Sequence, residues 1–300
     1  MAKFLQLIRF PNLVMIALTQ YLFKFFLINP YASYSLDSLR FFCLVLATVC
    51  IAAGGNIIND IYDVETDRIN KPHKVFIDTF ITKKNAFLLY FMFTFVGIGL
   101  AIYVGGISLP ENTTIFFAIA SLLFLYSKYL KKIALIGNIV VSLLVASSIL
   151  ILAFPIFTKN NLFRNELIIS VLLIYASFAF LINLIRELVK DNEDVNGDYN
   201  ANMKTLSIVL GRNRVNKIVA VLAGMLIIFI LYVISEYMQG KTITTVYALL
   251  TLLLPLLYFI IKVWQADTKW EYRILSFILK IIMLFGILSV LVFYYFDPLF

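Results

Sequence analysis

The sequence predicts an all-α polytopic membrane protein with nine transmembrane helices. Of its 300 residues, 62% are hydrophobic and only 14% are charged. Soluble domains carry about 25% charged residues, so this composition is typical of a chain that lies within a bilayer. The apolar stretches are about twice as long as the strands of a membrane β-barrel and do not alternate with polar residues, which favours helices.

Nine apolar runs are long enough to cross the hydrocarbon layer, which takes about 20 helical residues. We expect spans at residues 11–28, 39–61, 86–106, 113–130, 133–157, 165–187, 214–235, 243–263 and 273–296. Polar or helix-breaking residues separate them, such as Asn29-Pro30 after the first span and Gln239-Gly240 after the seventh. No long polar segment is left over, so residues 1–300 are predicted to form one transmembrane domain.

The distribution of Lys and Arg predicts the orientation of the chain. Nineteen of the 25 Lys and Arg residues lie at the N-terminus or in the loops after the second, fourth, sixth and eighth spans. Because cytoplasmic loops are enriched in these residues, we expect a cytoplasmic N-terminus and an outside C-terminus in the cell membrane. The net charge of +8 then reflects topology and lipid headgroups, and no nucleic-acid partner is expected.

Two acidic stretches follow the second and sixth spans and are therefore expected at the same cytoplasmic face. The first carries Asn59, Asp63 and Asp67, and the second carries Asp194 and Asp198. Side chains four residues apart share one face of a helix, so each stretch forms a row. Clustered carboxylates repel one another unless a cation holds them, and Mg²⁺ held by carboxylates usually accompanies a phosphate-bearing substrate. The rows therefore predict a site for Mg²⁺ and a diphosphate.

Basic residues beside both rows are candidates for binding phosphate oxygens. They are Arg68, Lys71 and Lys74 after the first row, and Arg186, Lys190 and Lys204 around the second. The alternative is that the acids are merely solvated at a helix end, and one pair of acids four residues apart is weak evidence for a metal. Two rows at equivalent positions, each with adjacent bases, are much more specific.

These motifs resemble those of the UbiA superfamily of intramembrane prenyltransferases. Asn59-x-x-x-Asp63-x-x-x-Asp67 and Asp194-x-x-x-Asp198 are similar to the paired acidic signatures of that superfamily. Shorter segments that also match are Arg9-Phe10-Pro11-Asn12, Tyr126-Ser127-Lys128 and Lys204-Thr205-Leu206. The resemblance implies a bundle around a central cavity, capped by cytoplasmic loops. It also implies Mg²⁺-dependent transfer of a prenyl group from an isoprenyl diphosphate to a lipid acceptor.

The resemblance further implies roles for individual residues. The catalytic set is Asn59, Asp63, Asp67, Asp194 and Asp198, and the same residues with Asp191 form the expected metal ligands. The expected substrate-binding residues are Arg9, Asn12, Arg68, Lys71, Lys74, Tyr126, Lys128, Arg186, Lys190 and Lys204. The metal would neutralise charge on the departing diphosphate, and walls rich in Phe and Tyr would keep the allylic cation away from water.

The segment from Arg186 to Asp198 is similar to that of the ether-lipid enzymes within the superfamily, which move geranylgeranyl onto geranylgeranylglyceryl phosphate. The chain departs from many relatives at His73-Lys74, where they carry Arg-Pro. Other acceptors of the superfamily stay open, namely quinone precursors, haem and chlorophyll, as does terpene cyclisation. A cation-coupled transporter is the alternative of another class, but transport favours acids near the middle of the membrane on broken helices.

Overall fold

The structure is a computed structural model that describes residues 2–32, 36–105, 110–156 and 162–298. Its α-helices are α1 (Ala2–Leu7), α2 (Phe10–Leu22), α3 (Ser38–Tyr62), α4 (Val64–Asn70), α5 (Lys83–Gly105), α6 (Pro110–Lys128), α7 (Ile136–Leu150), α8 (Leu162–Asn200), α9 (Leu206–Leu210), α10 (Arg212–Tyr237), α11 (Thr242–Ala248), α12 (Leu254–Gln265) and α13 (Lys269–Tyr295). Two π-helical segments, Phe23–Ile28 and Leu249–Leu253, continue α2 and connect α11 to α12.

The fold class predicted from the sequence is confirmed. Within the described ranges, eight helical segments are long and apolar enough to cross a membrane, and they correspond to eight of the nine predicted spans. The predicted fourth span is the shorter apolar helix Thr113–Lys128, which forms most of α6. The chain is therefore an integral membrane protein built from helices.

Both acidic stretches are helical, so the spacing of four residues places each row on one helical face. The helix α8 has 39 residues and continues far past the predicted end of the sixth span at residue 187, because no Pro interrupts residues 187–200. The first stretch is a junction in which only Asp63 leaves helical geometry, with φ −98° and ψ 3°. The backbone N–H groups of Asp63 and Asp67 still donate to carbonyls four residues earlier, at 3.0 and 2.8 Å. The face shared by Asn59, Asp63 and Asp67 therefore survives the junction.

Close packing of small residues holds the second and third spans together. A Cβ atom on Gly97 of α5 would lie 2.6 Å from the side chain of Ile51 on α3, so only glycine fits there. Lipid is as apolar as a helix surface, and helices in membranes therefore associate through such close backbone approaches.

The helix α8 contributes to two of the three clusters of buried apolar side chains. Its first half packs with α2, α3 and α7, and its second half packs with α10, α12 and α13. The third cluster joins α1, the end of α3 and α5 beneath the first acidic stretch. Packing from both sides fixes α8 as the central helix of the bundle and positions the acids near its end.

Candidate active site

The structure brings the two acidic stretches into direct contact. The side chain of Asn70, at the end of α4, donates from Nδ2 to the carbonyl of Asp194 at 2.7 Å. Its Oδ1 accepts a hydrogen bond from the backbone N–H of Gly197 at 2.9 Å. The neighbouring Lys71 forms an ion pair with the Asp194 carboxylate. Segments more than 120 residues apart in the sequence thus form one site.

In the first row, a lysine from another segment binds the central acid. The ammonium of Lys131 lies 2.5 Å from Oδ1 of Asp63, and its side chain is only 8% exposed. Asn59 donates from Nδ2 to Oδ2 of the same carboxylate at 2.7 Å and accepts from Lys131 at 3.5 Å. Lys131 lies in the short turn Leu130–Lys132 after α6, and the sequence analysis did not include it in the site.

In the second row, one carboxylate oxygen lacks a partner. Among the residues that the structure describes, Oδ1 of Asp194 is buried and accepts no hydrogen bond, although Oδ2 pairs with Lys71. The Asp198 carboxylate is 7% exposed and interacts electrostatically with Asp194 and Asp63. An unpaired buried acceptor among repelling carboxylates is energetically costly, so this row has the properties of a cation site.

The electrostatics at the outer end of the first row also favour the binding of a cation. Burial, together with the nearby Asp63 carboxylate, raises the pKa of Asp67 to about 6. Burial alone would lower the pKa of Lys71, but Asp194, which accepts its hydrogen bond, raises that pKa above its usual range. The acids are thus only partly neutralised by the lysines.

The donor atoms fit a hard divalent cation. Within the described part of the chain, no three His, Cys, Asp or Glu side chains converge closely enough to hold a metal ion. Two of the acids are instead paired with Lys71 and Lys131. The available donors are carboxylate and amide oxygens, which Mg²⁺ prefers, and they include the unpaired oxygen of Asp194. Asp191 lies about one turn before Asp194 on α8, and its carboxylate accepts a hydrogen bond from Asn138 at 3.0 Å.

A central cavity of about 270 Å³ extends from this site into the bundle. Its walls are mainly apolar and come from α2, α3, α6, α7, α8 and α13. Six of the predicted site residues line it, namely Arg9, Asn12, Asn59, Tyr126, Arg186 and Lys190. The structure therefore contains the chamber that the family resemblance implied.

The cavity carries a cluster of cations on α8. Arg186 and Lys190 both donate to Oε1 of Glu187, at 2.9 and 2.7 Å. Nε of Arg186 is buried and has no hydrogen-bond partner within the described part of the chain. Lys280, in the middle of α13, lines the same cavity. Ionisable residues within a membrane span are costly and usually functional, so these cations are candidates for binding an anion.

Arg9 extends this polar region at the start of α2. Its guanidinium forms an ion pair with Asp60 at 2.9 Å. Burial would lower the pKa of Arg9, but the Asp60 carboxylate raises it above the usual range. The carboxylate of Asp60, which adjoins the first row in the sequence, is thus paired with Arg9.

The remaining predicted phosphate-binding residues lie outside this network. The ammonium of Lys128 lies over the rings of Tyr129 and Phe124, at 4.9 and 5.8 Å from their centroids. Because α6 ends at Lys128, the turn that follows directs Lys131 towards the acids instead. Arg68 and Lys204 are exposed. The side chain of Lys74 lies outside the described residues.

Comparison with known proteins gives consistent matches. A model of the UbiA prenyltransferase family matches residues 25–284. The chain is 32% identical to digeranylgeranylglyceryl phosphate synthase of Saccharolobus solfataricus, over 96% of this chain and 95% of that protein. A solved structure of digeranylgeranylglyceryl phosphate synthase in membranes is 24% identical, with a TM-score of 0.66 over 97% of both chains. A UbiA homolog from Archaeoglobus fulgidus bound to DMAPP and Mg²⁺ is 15% identical, with a TM-score of 0.65 over 97% and 99% of the chains.

Proposed function

Because this chain belongs to the UbiA prenyltransferase family, we propose that it transfers a geranylgeranyl group from its diphosphate to geranylgeranylglyceryl phosphate in ether-lipid synthesis. The observation that carries the proposal is the contact between two acidic rows above an apolar cavity with a cationic upper end. The likeness to the Saccharolobus synthase over nearly the whole chain supports this choice of product.

Mg²⁺ is the cofactor of this reaction. The residues that would hold it are Asn59, Asp63, Asp67, Asp194 and Asp198, with Asp191 as a further ligand. When bound, the ion neutralises charge on the departing diphosphate. The unpaired Oδ1 of Asp194 supports this assignment. The Archaeoglobus homolog, which has the same fold, is bound to DMAPP and Mg²⁺.

The lysines and the cavity walls have separate tasks in the proposed reaction. Lys71 and Lys131 can bind diphosphate oxygens while they remain next to the acids, and such charge-assisted hydrogen bonds favour the developing negative charge. The bond from C1 of the donor to the diphosphate oxygen breaks, the hydroxyl oxygen of the acceptor bonds to C1, and the hydroxyl proton leaves with the diphosphate. The apolar walls exclude water, which would otherwise capture the allylic cation.

The cationic cluster favours an acceptor that carries its own phosphate. Arg186 and Lys190 line the cavity and share the carboxylate of Glu187, and Lys280 lines the same cavity. An uncharged acceptor would leave the unpaired Nε of Arg186 without a ligand. A phosphate offers several acceptor oxygens to the cluster, which matches the donors of arginine and lysine.

We also propose the placement of the chain in the cell. The N-terminus and the active site face the cytoplasm, the C-terminus faces outward in the cell membrane, and residues 1–300 form a single domain. The excess of Lys and Arg on one side of the predicted spans supports this orientation.

One experiment tests the reaction and the acceptor together. Purified protein is incubated with Mg²⁺, geranylgeranyl diphosphate, and either geranylgeranylglyceryl phosphate, its dephosphorylated alcohol or an aromatic quinone precursor, and products are identified by mass. We expect product from the phosphate-bearing acceptor, and we expect Arg186→Gln to raise its KM about tenfold or more, since a charged hydrogen bond is lost. Turnover of the alcohol or the aromatic acceptor at an equal rate would contradict the proposal.

A further inference from the structure

A second, smaller cavity lies directly behind the central cavity. Its volume is about 80 Å³, and its walls come mainly from α8, α10, α11 and α13. The two cavities share three lining residues, Tyr175, Phe178 and Gly286. These three residues form a wall between the cavities, which we call the partition.

The partition is held in place by specific contacts. A Cβ atom on Gly286 would lie 2.6 Å from Cε1 of Phe178, so the ring occupies the space that the glycine leaves free. Ser289 donates to the carbonyl of Gly286 at 2.7 Å, and the Tyr175 hydroxyl in turn donates to Oγ of Ser289 at 2.7 Å. Phe23 packs edge-on against Tyr175 at 4.8 Å between ring centroids.

The second cavity suits a hydrocarbon. Several of its hydroxyl groups already donate within the protein: Tyr247 donates to the carbonyl of Phe285 at 2.8 Å, and Thr244 donates to Asp297 at 2.8 Å. Eleven of the other lining residues are Phe, Leu, Ile or Val, and four are Tyr. A mainly apolar cavity stays dry and binds apolar ligands.

The depth of the partition matches the length of a prenyl chain. Phe178 precedes Asp191 and Asp194 on α8 by 13 and 16 residues, which at the rise of an α-helix correspond to about 20 and 24 Å. A geranylgeranyl group with its ester oxygen spans roughly 16 bonds. At the roughly 1.2 Å that each bond adds to an extended chain, it reaches about 19 Å. Its end therefore comes close to the Phe178 ring when the diphosphate is bound at the acids.

We propose that the partition limits the length of the prenyl donor and that Phe178 is the residue that sets this limit. A donor with a fifth isoprene unit is blocked by the ring, and the second cavity accepts that unit once the ring is removed. This inference rests on the proposed function, because the distance is measured from the acids that bind the diphosphate.

The test compares two donors in three proteins. Geranylgeranyl diphosphate and the diphosphate with one more isoprene unit are supplied to the wild type, to Phe178→Ala and to Phe180→Ala. Phe180 is the matched control, because it lies two residues further along α8 and lines neither cavity. We expect Phe178→Ala to raise the ratio of kcat/KM for the longer donor over the shorter one by about tenfold or more, since even one methylene in an apolar pocket changes discrimination about tenfold.

The control and a binding measurement separate the possible failures. Phe178→Leu keeps an apolar side chain, so it replaces Phe178→Ala in the test if the alanine variant folds poorly. We expect its ratio of kcat/KM for the two donors to lie between those of the wild type and Phe178→Ala. Stabilisation of each protein by the two diphosphates with Mg²⁺ and no acceptor gives a reading that needs no turnover. A wild type that neither binds nor transfers geranylgeranyl overturns both proposals. Normal transfer with an unchanged ratio in both Phe178 variants, or an equal change in Phe180→Ala, overturns only the role of the partition.

Discussion

The two acidic rows carry the same kind of ligand in two different local settings. The first row crosses a junction at Asp63, whereas the second lies in the uninterrupted helix α8. In each row a lysine from a different segment pairs with one of the acids, Lys131 with Asp63 and Lys71 with Asp194. The second row is therefore the fixed half of the site, and the first row is docked onto it through α4.

The rows also differ in how well their acids are satisfied. Asp63 accepts from both Asn59 and Lys131, so both of its oxygens have partners. Asp194 keeps one buried oxygen unpaired. The contrast indicates that the fixed row has the greater need for an added cation, because an unpaired buried acceptor is costly.

The largest effects should come from removing one acid of each row. We expect Asp63→Ala and Asp194→Ala each to lower kcat by about 10³-fold or more, since each removes support for charge on the leaving group. Both variants should also lose the extra thermal stabilisation that Mg²⁺ and diphosphate together give the wild type. Glu65→Ala is the control, because Glu65 is an exposed acid on α4 that lies between Asp63 and Asp67 in the sequence. An equal loss in Glu65→Ala, or full activity of either row variant, would contradict the model of one shared site.

Substitution of Lys71 or Lys131 should lower activity less than removal of an acid, but more than substitution of the neighbouring Lys128. We expect Lys71→Ala and Lys131→Ala to lower kcat by about 10²-fold, which is typical for loss of one donor to a developing anion. Lys128→Ala should stay within about twofold, since its ammonium lies over the rings of Phe124 and Tyr129. Steady-state kinetics at saturating Mg²⁺ gives the comparison. If the Lys128 variant were as impaired as the Lys131 variant, the assignment of Lys131 rather than Lys128 to the site would be wrong.

The smallest effect concerns the docking of α4 onto α8. Asn70→Ala removes both hydrogen bonds to α8 and should destabilise this contact by about 1–3 kcal/mol. Hydrogen exchange should then increase in residues 64–70 and remain unchanged in residues 187–198. Gly197→Ala should act in the same direction, because a Cβ atom there would lie 2.4 Å from Nδ2 of Asn70. Equal increases in both segments would show that neither row is the fixed one.

Features that depend on local sequence were predictable. The membrane spans follow from the length of apolar runs, and the rows follow from acids four residues apart, such as Asp194 and Asp198. The sequence also placed both rows after spans that run in the same direction. These patterns require no knowledge of how the helices pack.

Features that depend on where a helix ends were not predictable. The basic run after α6 contains Lys128, Lys131 and Lys132, and the end of the helix decides which one meets the acids. The position of Lys280 in the cavity wall was not predictable, because a lysine in an apolar span has the same sequence pattern whether it faces the cavity or the headgroups. The predicted sixth span ends at residue 187, where the apolar run ends, whereas the helix α8 itself continues to Asn200.

The long helix α8 also constrains how related chains can vary. It carries Tyr175 and Phe178 of the partition, Arg186 and Lys190 of the cation cluster, and the second row on a single continuous backbone. Each residue added to an α-helix advances it by about 1.5 Å and turns it by about 100°. Inserting or deleting one residue between Phe178 and Asp194 would turn the acids away from the first row, whereas a substitution keeps their direction. Functional divergence in this helix must therefore proceed by exchanging side chains, and changes in length must fall in the connecting segments.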